Sequence, residues 1–195
     1  MNLPNQLTVS RFALTGLFLA VMFAEFRGHE TVALVLFSVA GITDFLDGRI
    51  ARQRKLITNF GILMDPLADK ILTCSAFIAF VGRGYMPAWM VVIIVARELA
   101  ITGLRLLAAS KNLVLAAEGF GKHKTISQIV TIVAVLTVLS YPQWGPVGAV
   151  FGWEIDGRAW VAWVAEFSKW TSVGLTLLSG GIYLWRNREI YLSDM

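Results

Sequence analysis

The chain has 195 residues, 56% of them hydrophobic and only 15% charged, with a net charge of +4 and a mean hydropathy of +0.66. That balance is too apolar for an ordinary soluble domain of this length, and it predicts an all-α, polytopic membrane protein. A single cysteine, Cys74, excludes an intramolecular disulfide and is expected to be a small core residue.

Six apolar segments are long enough, or nearly so, to span a bilayer: Leu7–Phe26, Thr31–Ile50, Leu63–Val81, Ala88–Ala109, Thr125–Tyr141 and Trp163–Trp185. The first begins after the polar Asn2, Asn5 and Gln6 and lacks a basic leader, so it is expected to be a retained span with a polar, interfacial start. After Pro4, the residues Asn5, Thr8 and Arg11 recur at roughly one-turn spacing. They give either a polar strip facing a ligand or routine caps at the membrane surface.

The second and third segments carry the most informative residues. Asp44 and Asp47 lie three apart, and Asp65 and Asp69 four apart, so on helices each pair shares a face. Two adjacent helices would then aim four carboxylates at one point, beside apolar sequence in which a carboxylate is expensive. Hard oxygen donors of this kind suit Mg²⁺ or Mn²⁺ and leave coordination positions for a phosphate. Ion pairing with Arg49, Arg52 and Lys70 is the rival explanation, and it accounts for one or two acids more readily than four.

In the fourth segment Arg97 and Glu98 are flanked by apolar sequence on both sides, so they must pair or face a polar cavity. Arg105 follows about two turns later on the same broad side, and Lys122 and Lys124 open the fifth segment. His123 is expected to be solvated and His29 to sit in a short loop; neither is expected to be catalytic. The longest loop is expected over Tyr141–Glu166, which contains Pro142 and Pro146. Trp144, Trp153, Trp160 and Trp163 there suggest an aromatic interfacial belt rather than a ligand cage.

Charge sets the orientation. Arg49, Arg52, Arg54 and Lys55, then Lys111, Lys122 and Lys124, then Arg186 and Arg188 fall on one side if six spans alternate. The other side receives Arg27, Arg83, Arg158 and Lys169. The positive-inside rule therefore places both termini and the four acids in the cytoplasm, with the protein in the inner (cytoplasmic) membrane. No internal repeat or domain-scale linker interrupts the chain, so residues 1–195 are expected to form one domain.

The pattern Asp-x2-Asp-Gly-x2-Ala-Arg-x8-Gly-x3-Asp-x3-Asp, met at Asp44, Asp47, Gly48, Ala51, Arg52, Gly61, Asp65 and Asp69, resembles the signature of the CDP-alcohol phosphatidyltransferase family. Asn2 to Arg11, Ala96-Arg97-Glu98, Gly103-Leu-Arg105 and Gly121-Lys122-His-Lys124-Thr125 resemble the members whose acceptor is glycerol 3-phosphate. The likeness runs to about Thr125, and beyond it only apolar character and length fit.

The resemblance implies transfer of a phosphatidyl group from CDP-diacylglycerol to the 1-hydroxyl of glycerol 3-phosphate, assisted by two Mg²⁺ or Mn²⁺ ions. It implies Asp44, Asp47 and Asp65 as principal metal ligands, with Asp69 as general base and further metal contact. It also implies Asn5, Thr8, Asp44, Gly48, Arg52 and Gly61 at the CDP-diacylglycerol, and a homodimer; no nucleic-acid partner is expected. Gly48 and Gly61, lacking Cβ, would admit either a nucleotide or an opposing helix. Arg52 would reach a phosphate oxygen or the cytosine edge, unless it is only a topology signal.

Near such a site Arg97, Arg105, Lys122 and Lys124 suit the phosphomonoester of glycerol 3-phosphate, although the two lysines also serve as topology signals. The same acids would serve another acceptor, such as serine, inositol or phosphatidylglycerol. A cation or proton transporter is a remoter alternative, disfavoured because the acids collect on one side and no repeat is visible.

Overall fold

The computed structural model describes residues 3–54, 59–111, 113 and 120–192; within these, the side chains of residues 3–7, 44–54, 59–63, 65, 66, 69 and 120–122 lie outside the description. Five long helices come first: α1 (Leu3–Phe23), α2 (His29–Arg54), α3 (Asn59–Gly82), α4 (Ala88–Ser110) and α5 (Phe120–Ser140). A 3₁₀ turn (Tyr141–Gln143), the short α6 (Pro146–Phe151) and two strands, β1 (Glu154–Ile155) and β2 (Arg158–Ala159), lead into α7 (Trp160–Arg186) and a terminal α8 (Arg188–Leu192). The chain is thus mostly helical, and each of the six apolar segments lies within or largely within one long helix.

Among the described residues one stretch, His123–Gln143, is long and apolar enough to cross a membrane on length and composition. Shorter apolar runs occupy Thr8–Phe23, His29–Thr43 and Lys70–Gly82. The long helices end where the backbone requires it. Gly28, at φ 90°, turns the chain into α2, and Gly84 (φ 74°) and the extended Pro87 (φ −62°, ψ 137°) reset it before α4.

Pairwise packing closes the long helices into a ring. α1 packs on α2, α2 on α5, α5 on α7, α7 on α4, α4 on α3 and α3 back on α1, while α3 also meets α5 across the middle. The two ends of this ring differ in chemistry. One half is filled by Phe18, Met22, Phe37, Phe77, Phe80, Met90, Ile132 and Leu136, all buried apolar side chains. Further along the same helices the buried residues become polar: Thr8, Arg11 and Thr15 on α1, Thr73 on α3, Glu98 on α4, Lys124, Gln128 and Thr131 on α5, and Ser168, Ser172, Thr176 and Ser179 on α7.

The α5–α7 seam follows from this composition. Small hydroxylated residues on α7 let the backbones approach, and Thr131 Oγ1 donates to Ser168 O at 2.9 Å while Gln128 Nε2 donates to Thr176 Oγ1 at 3.4 Å.

Four expectations need correction. The Tyr141–Glu166 stretch is not one long loop, because α6 and a hairpin order it and α7 begins at Trp160. The hairpin departs from an all-α fold because Asp156 and Gly157 both take positive φ (51° and 74°), the tight turn that Asp-Gly favours. His29 is not a loop residue: it is buried at the start of α2, with Nε2 3.1 Å from Glu30 Oε1 and 3.3 Å from Arg83 Nη2. Cys74 is only half-buried.

The tryptophans have local roles as well. Trp144 Nε1 donates to Thr31 Oγ1 at 3.0 Å, Trp160 Nε1 to Val150 O at 2.8 Å and Trp163 Nε1 to Ile155 O at 3.1 Å. These bonds tie the 141–166 segment to itself and to α2, at the end of the ring opposite Glu98 and Lys124.

Candidate active site

α2 carries Asp44 and Asp47 in its second half and α3 carries Asp65 and Asp69 in its first half. Only residues 55–58 separate these two halves along the chain, so the acid-bearing stretches belong to the same, polar end of the ring. The side chains of Asp44, Asp47, Asp65, Asp69, Gly48, Arg52, Gly61, Asn5 and Lys122 lie outside the described residues. The residue after Asp69 fixes the level of this part of α3 in the bundle. Lys70 Nζ donates to Thr102 Oγ1 of α4, and that hydroxyl donates in turn to Glu98 O at 2.7 Å. The end of α3 that holds Asp69 therefore lies against the Glu98–Thr102 turn of α4.

That turn is the charged centre of the described site. Glu98 is buried, and one of its carboxylate oxygens, Oε1, serves two cations: Arg97 Nη1 at 3.2 Å and Lys124 Nζ. α4 and α5 are thereby joined by charge at the level where α3 arrives. One buried carboxylate oxygen thus gathers two cations from two helices.

Arg97 also reaches α7, its Nη2 donating to Ser179 Oγ at 3.4 Å. Its Nε is buried and meets no hydrogen-bond acceptor among the described residues. A donor in that condition costs free energy unless a ligand oxygen meets it. Two turns on, the exposed Arg105 donates through Nε to Tyr183 OH at 3.4 Å and lies over the Tyr183 ring at 5.8 Å.

Of the cations expected to form an acceptor site, Arg97 and Lys124 meet at Glu98, and Arg105 continues the same face of α4 toward α7. Thr8, expected at the nucleotide, is almost fully buried at the polar end of α1, as is Arg11. Sequence reasoning missed Ser179, Gly180 and Tyr183 of α7, and the Lys70–Thr102 link. Thr102 had a readable signal, standing four residues after Glu98 and three before Arg105 on one helical face. The α7 residues had none, since their role depends on which helix closes the ring.

Among the described residues no group of three or more His, Cys, Asp or Glu side chains is placed to hold a metal ion. A metal reading therefore rests on Asp44, Asp47, Asp65 and Asp69. Four carboxylates on consecutive helices are the hard donor set that a divalent cation needs.

A ring of long helices with acids on α2 and α3 and buried cations on α4 and α5 defines a helical-bundle protein with a charged centre inside an otherwise apolar shell. The model of the family described as CDP-alcohol phosphatidyltransferase matches residues 1–177. A Bacillus subtilis (strain 168) relative named CDP-diacylglycerol--glycerol-3-phosphate 3-phosphatidyltransferase is 36% identical over 206 residues, covering 96% of each chain. Relatives of the same name are 34% identical in Mycoplasma pneumoniae, over 93% of this chain and 86% of that one, and 30% identical in Rickettsia bellii, over 93% of both. The chain belongs to the CDP-alcohol phosphatidyltransferase family.

The Glu98 centre generates a stability test. Removing one partner from a buried ion network strands charge and costs about 3–5 kcal/mol, whereas an exposed pair is worth about 0.2–1 kcal/mol. Glu98→Gln should thus lower the melting temperature in detergent far more than Glu166→Gln. The latter breaks only the Lys169 Nζ–Glu166 Oε2 pair (3.2 Å), in which Glu166 is 47% exposed. Equal shifts in the two melts would mean that Glu98 does not hold α4 and α5 together.

Proposed function

We propose that this protein is a CDP-diacylglycerol–glycerol-3-phosphate 3-phosphatidyltransferase: it joins the phosphatidyl group of CDP-diacylglycerol to glycerol 3-phosphate, giving phosphatidylglycerophosphate and CMP. The observation that carries the acceptor assignment is the Arg97–Glu98–Lys124 centre. It gathers two cations, and a guanidinium Nε–H that meets no acceptor among the described residues, on the turn that Lys70 ties to the acid-bearing end of α3. A phosphomonoester near charge −2 gains from such a place, and serine or inositol brings no comparable charge.

The 1-hydroxyl oxygen of glycerol 3-phosphate attacks the phosphorus that bears diacylglycerol. A P–O bond forms there, the P–O bond to CMP breaks, and the hydroxyl proton passes to the Asp69 carboxylate. Arg97, Arg105, Lys122 and Lys124 hold the acceptor's phosphate; Asn5, Thr8, Gly48, Arg52 and Gly61 hold the nucleotide side of the donor. Asp44, Asp47 and Asp65, with Asp69, would hold Mg²⁺ or Mn²⁺, two ions in this reading, which when bound neutralise the pyrophosphate.

The donor's acyl chains require the site to meet lipid, each buried CH₂ being worth about 0.8 kcal/mol. We infer six membrane spans on one domain covering residues 1–195, set in the inner (cytoplasmic) membrane with both termini and the acids on the cytoplasmic side, and a homodimer as the working unit. Large apolar side chains exposed along the helices support the spans, among them Leu17 and Val35 on α1 and α2, Ile78 on α3, Val92, Leu99 and Leu106 on α4, Val130 on α5, and Leu177 and Leu178 on α7.

The direct test is a chromatogram of lipid products from purified protein given CDP-diacylglycerol with glycerol 3-phosphate, serine, inositol or phosphatidylglycerol in parallel. Product should form with glycerol 3-phosphate, vanish in excess chelator and return with Mg²⁺ or Mn²⁺; efficient use of serine or inositol would redirect the assignment. Variants divide the roles. Asp69→Asn should depress kcat by about 10²-fold or more. Arg105→Ala should raise the KM for glycerol 3-phosphate roughly 10- to 150-fold, the equivalent of one charge-assisted hydrogen bond, with little change in that for CDP-diacylglycerol. Orientation is checked separately: in a background lacking Cys74, a cysteine replacing Arg54 should label only from the cytoplasmic side and one replacing Asp156 only from the other.

A further inference from the structure

We infer that α7 sets the position of the acceptor-binding arginines, with Gly180 as the principal positioning residue and Ser179 and Tyr183 as its support. The inference rests on the proposed role of Arg97 and Arg105. It goes beyond family membership, because it assigns a role to a residue outside the acid motif and beyond the stretch the family model matches.

Gly180 is buried, and a Cβ built on it would stand 2.8 Å from Cγ of Arg97 and 3.8 Å from Cβ and Nε of the same side chain. The nearest obstacle is thus the root of a single functional side chain. That distinguishes Gly180 from Gly148, whose added Cβ would strike the backbone oxygen of Tyr141 at 2.2 Å and whose role is local packing. It also distinguishes Gly180 from its neighbour Gly181 and from Gly174, both on α7, where an added Cβ would meet nothing within 4 Å.

Cγ lies near the backbone, so Arg97 cannot yield by swinging only its tip. It must change rotamer, or α4 and α7 must separate. Rotation would take the guanidinium from the only acceptors it has among the described residues, Glu98 Oε1 on Nη1 and Ser179 Oγ on Nη2. Turning an arginine outward into the apolar surface of α4 has no compensation. The fork is therefore clamped on three sides: by a carboxylate at one nitrogen, a hydroxyl at the other, and the missing side chain of Gly180 beneath its stem.

One turn along α7, Tyr183 does the same for Arg105 with its hydroxyl and ring. Two arginines held from one helix would meet the acceptor's phosphate with fixed cations, which a neutral polyol has no charge to engage.

The test is steady-state kinetics on the full-length protein in detergent, each substrate varied in turn, for Gly180→Ala, Gly181→Ala, Ser179→Ala, Arg97→Ala and the Arg97→Ala/Gly180→Ala double variant, with thermal melts alongside. Gly180→Ala should raise the KM for glycerol 3-phosphate by about 10- to 100-fold, as expected of a misplaced binding group, and leave that for CDP-diacylglycerol within about 2-fold. Gly181→Ala should match the wild type.

In the Arg97→Ala background, Gly180→Ala should have no further effect on the acceptor KM, since the atom it strikes is gone. Ser179→Ala, which adds no bulk, should raise the same KM by a smaller factor and provides the measurement if Gly180→Ala fails to fold. A raised KM in Arg97→Ala, with Gly180→Ala or Ser179→Ala indistinguishable from Gly181→Ala, would overturn the inference and leave the proposed function standing. An unchanged acceptor KM in Arg97→Ala, or a wild type that ignores glycerol 3-phosphate, would overturn the reading of the site and this inference with it.

Discussion

Charge inside an apolar ring has to be matched, and that constraint organises the molecule. Glu98 accepts from both Arg97 and Lys124, joining neighbouring α4 residues to the start of α5 with a single carboxylate oxygen. A buried ion network of this kind is weak evidence for stability, because desolvation consumes much of the Coulombic gain, and a well-packed apolar replacement is often as stable. Its presence is better explained by what the charge does. An enzyme that must bring a phosphomonoester and a pyrophosphate together needs positive charge already desolvated and fixed, so that the substrates do not have to organise it themselves.

The division of the ring into a dry half and a polar half serves the same end. Phe18, Phe37, Phe77, Phe80 and Leu136 hold the helices together there, and the buried hydroxyls of Thr137 and Ser140 bond within α5, while the other half holds hydroxyls, amides and ions. The seam between α5 and α7 is the compromise. Ser168, Thr176 and Ser179 are small enough for close packing and polar enough to bond across it, as Thr131 and Gln128 do. Those contacts hold α7 where Gly180 can pass beneath Arg97.

Much of this was legible in the sequence. Apolar run lengths located the six long helices because each run satisfies a simple length rule, and the acids stood out because carboxylates beside such runs are costly. The charge pair Arg97-Glu98 demanded a partner, and Lys124 supplied it. The ends of elements were less legible: α7 starts at Trp160 because the hairpin turn at Asp156 and Gly157 fixes the chain just before it, and a count of apolar residues does not register a two-residue ladder. His29 misled for a similar reason, since a histidine near a glycine reads as a loop until Arg83 arrives from the turn after α3.

The contribution of α7 to the site was hidden for a deeper reason. Gly180 is informative only through Arg97, 83 positions earlier in the chain, and nothing local distinguishes it from Gly181. A glycine that packs against backbone and a glycine that makes room for one side chain look identical in sequence. Here the distinction lies in three dimensions: the acid motif is contiguous on α2 and α3, whereas the room for the Arg97 stem depends on how α7, outside the motif, is seated against α4.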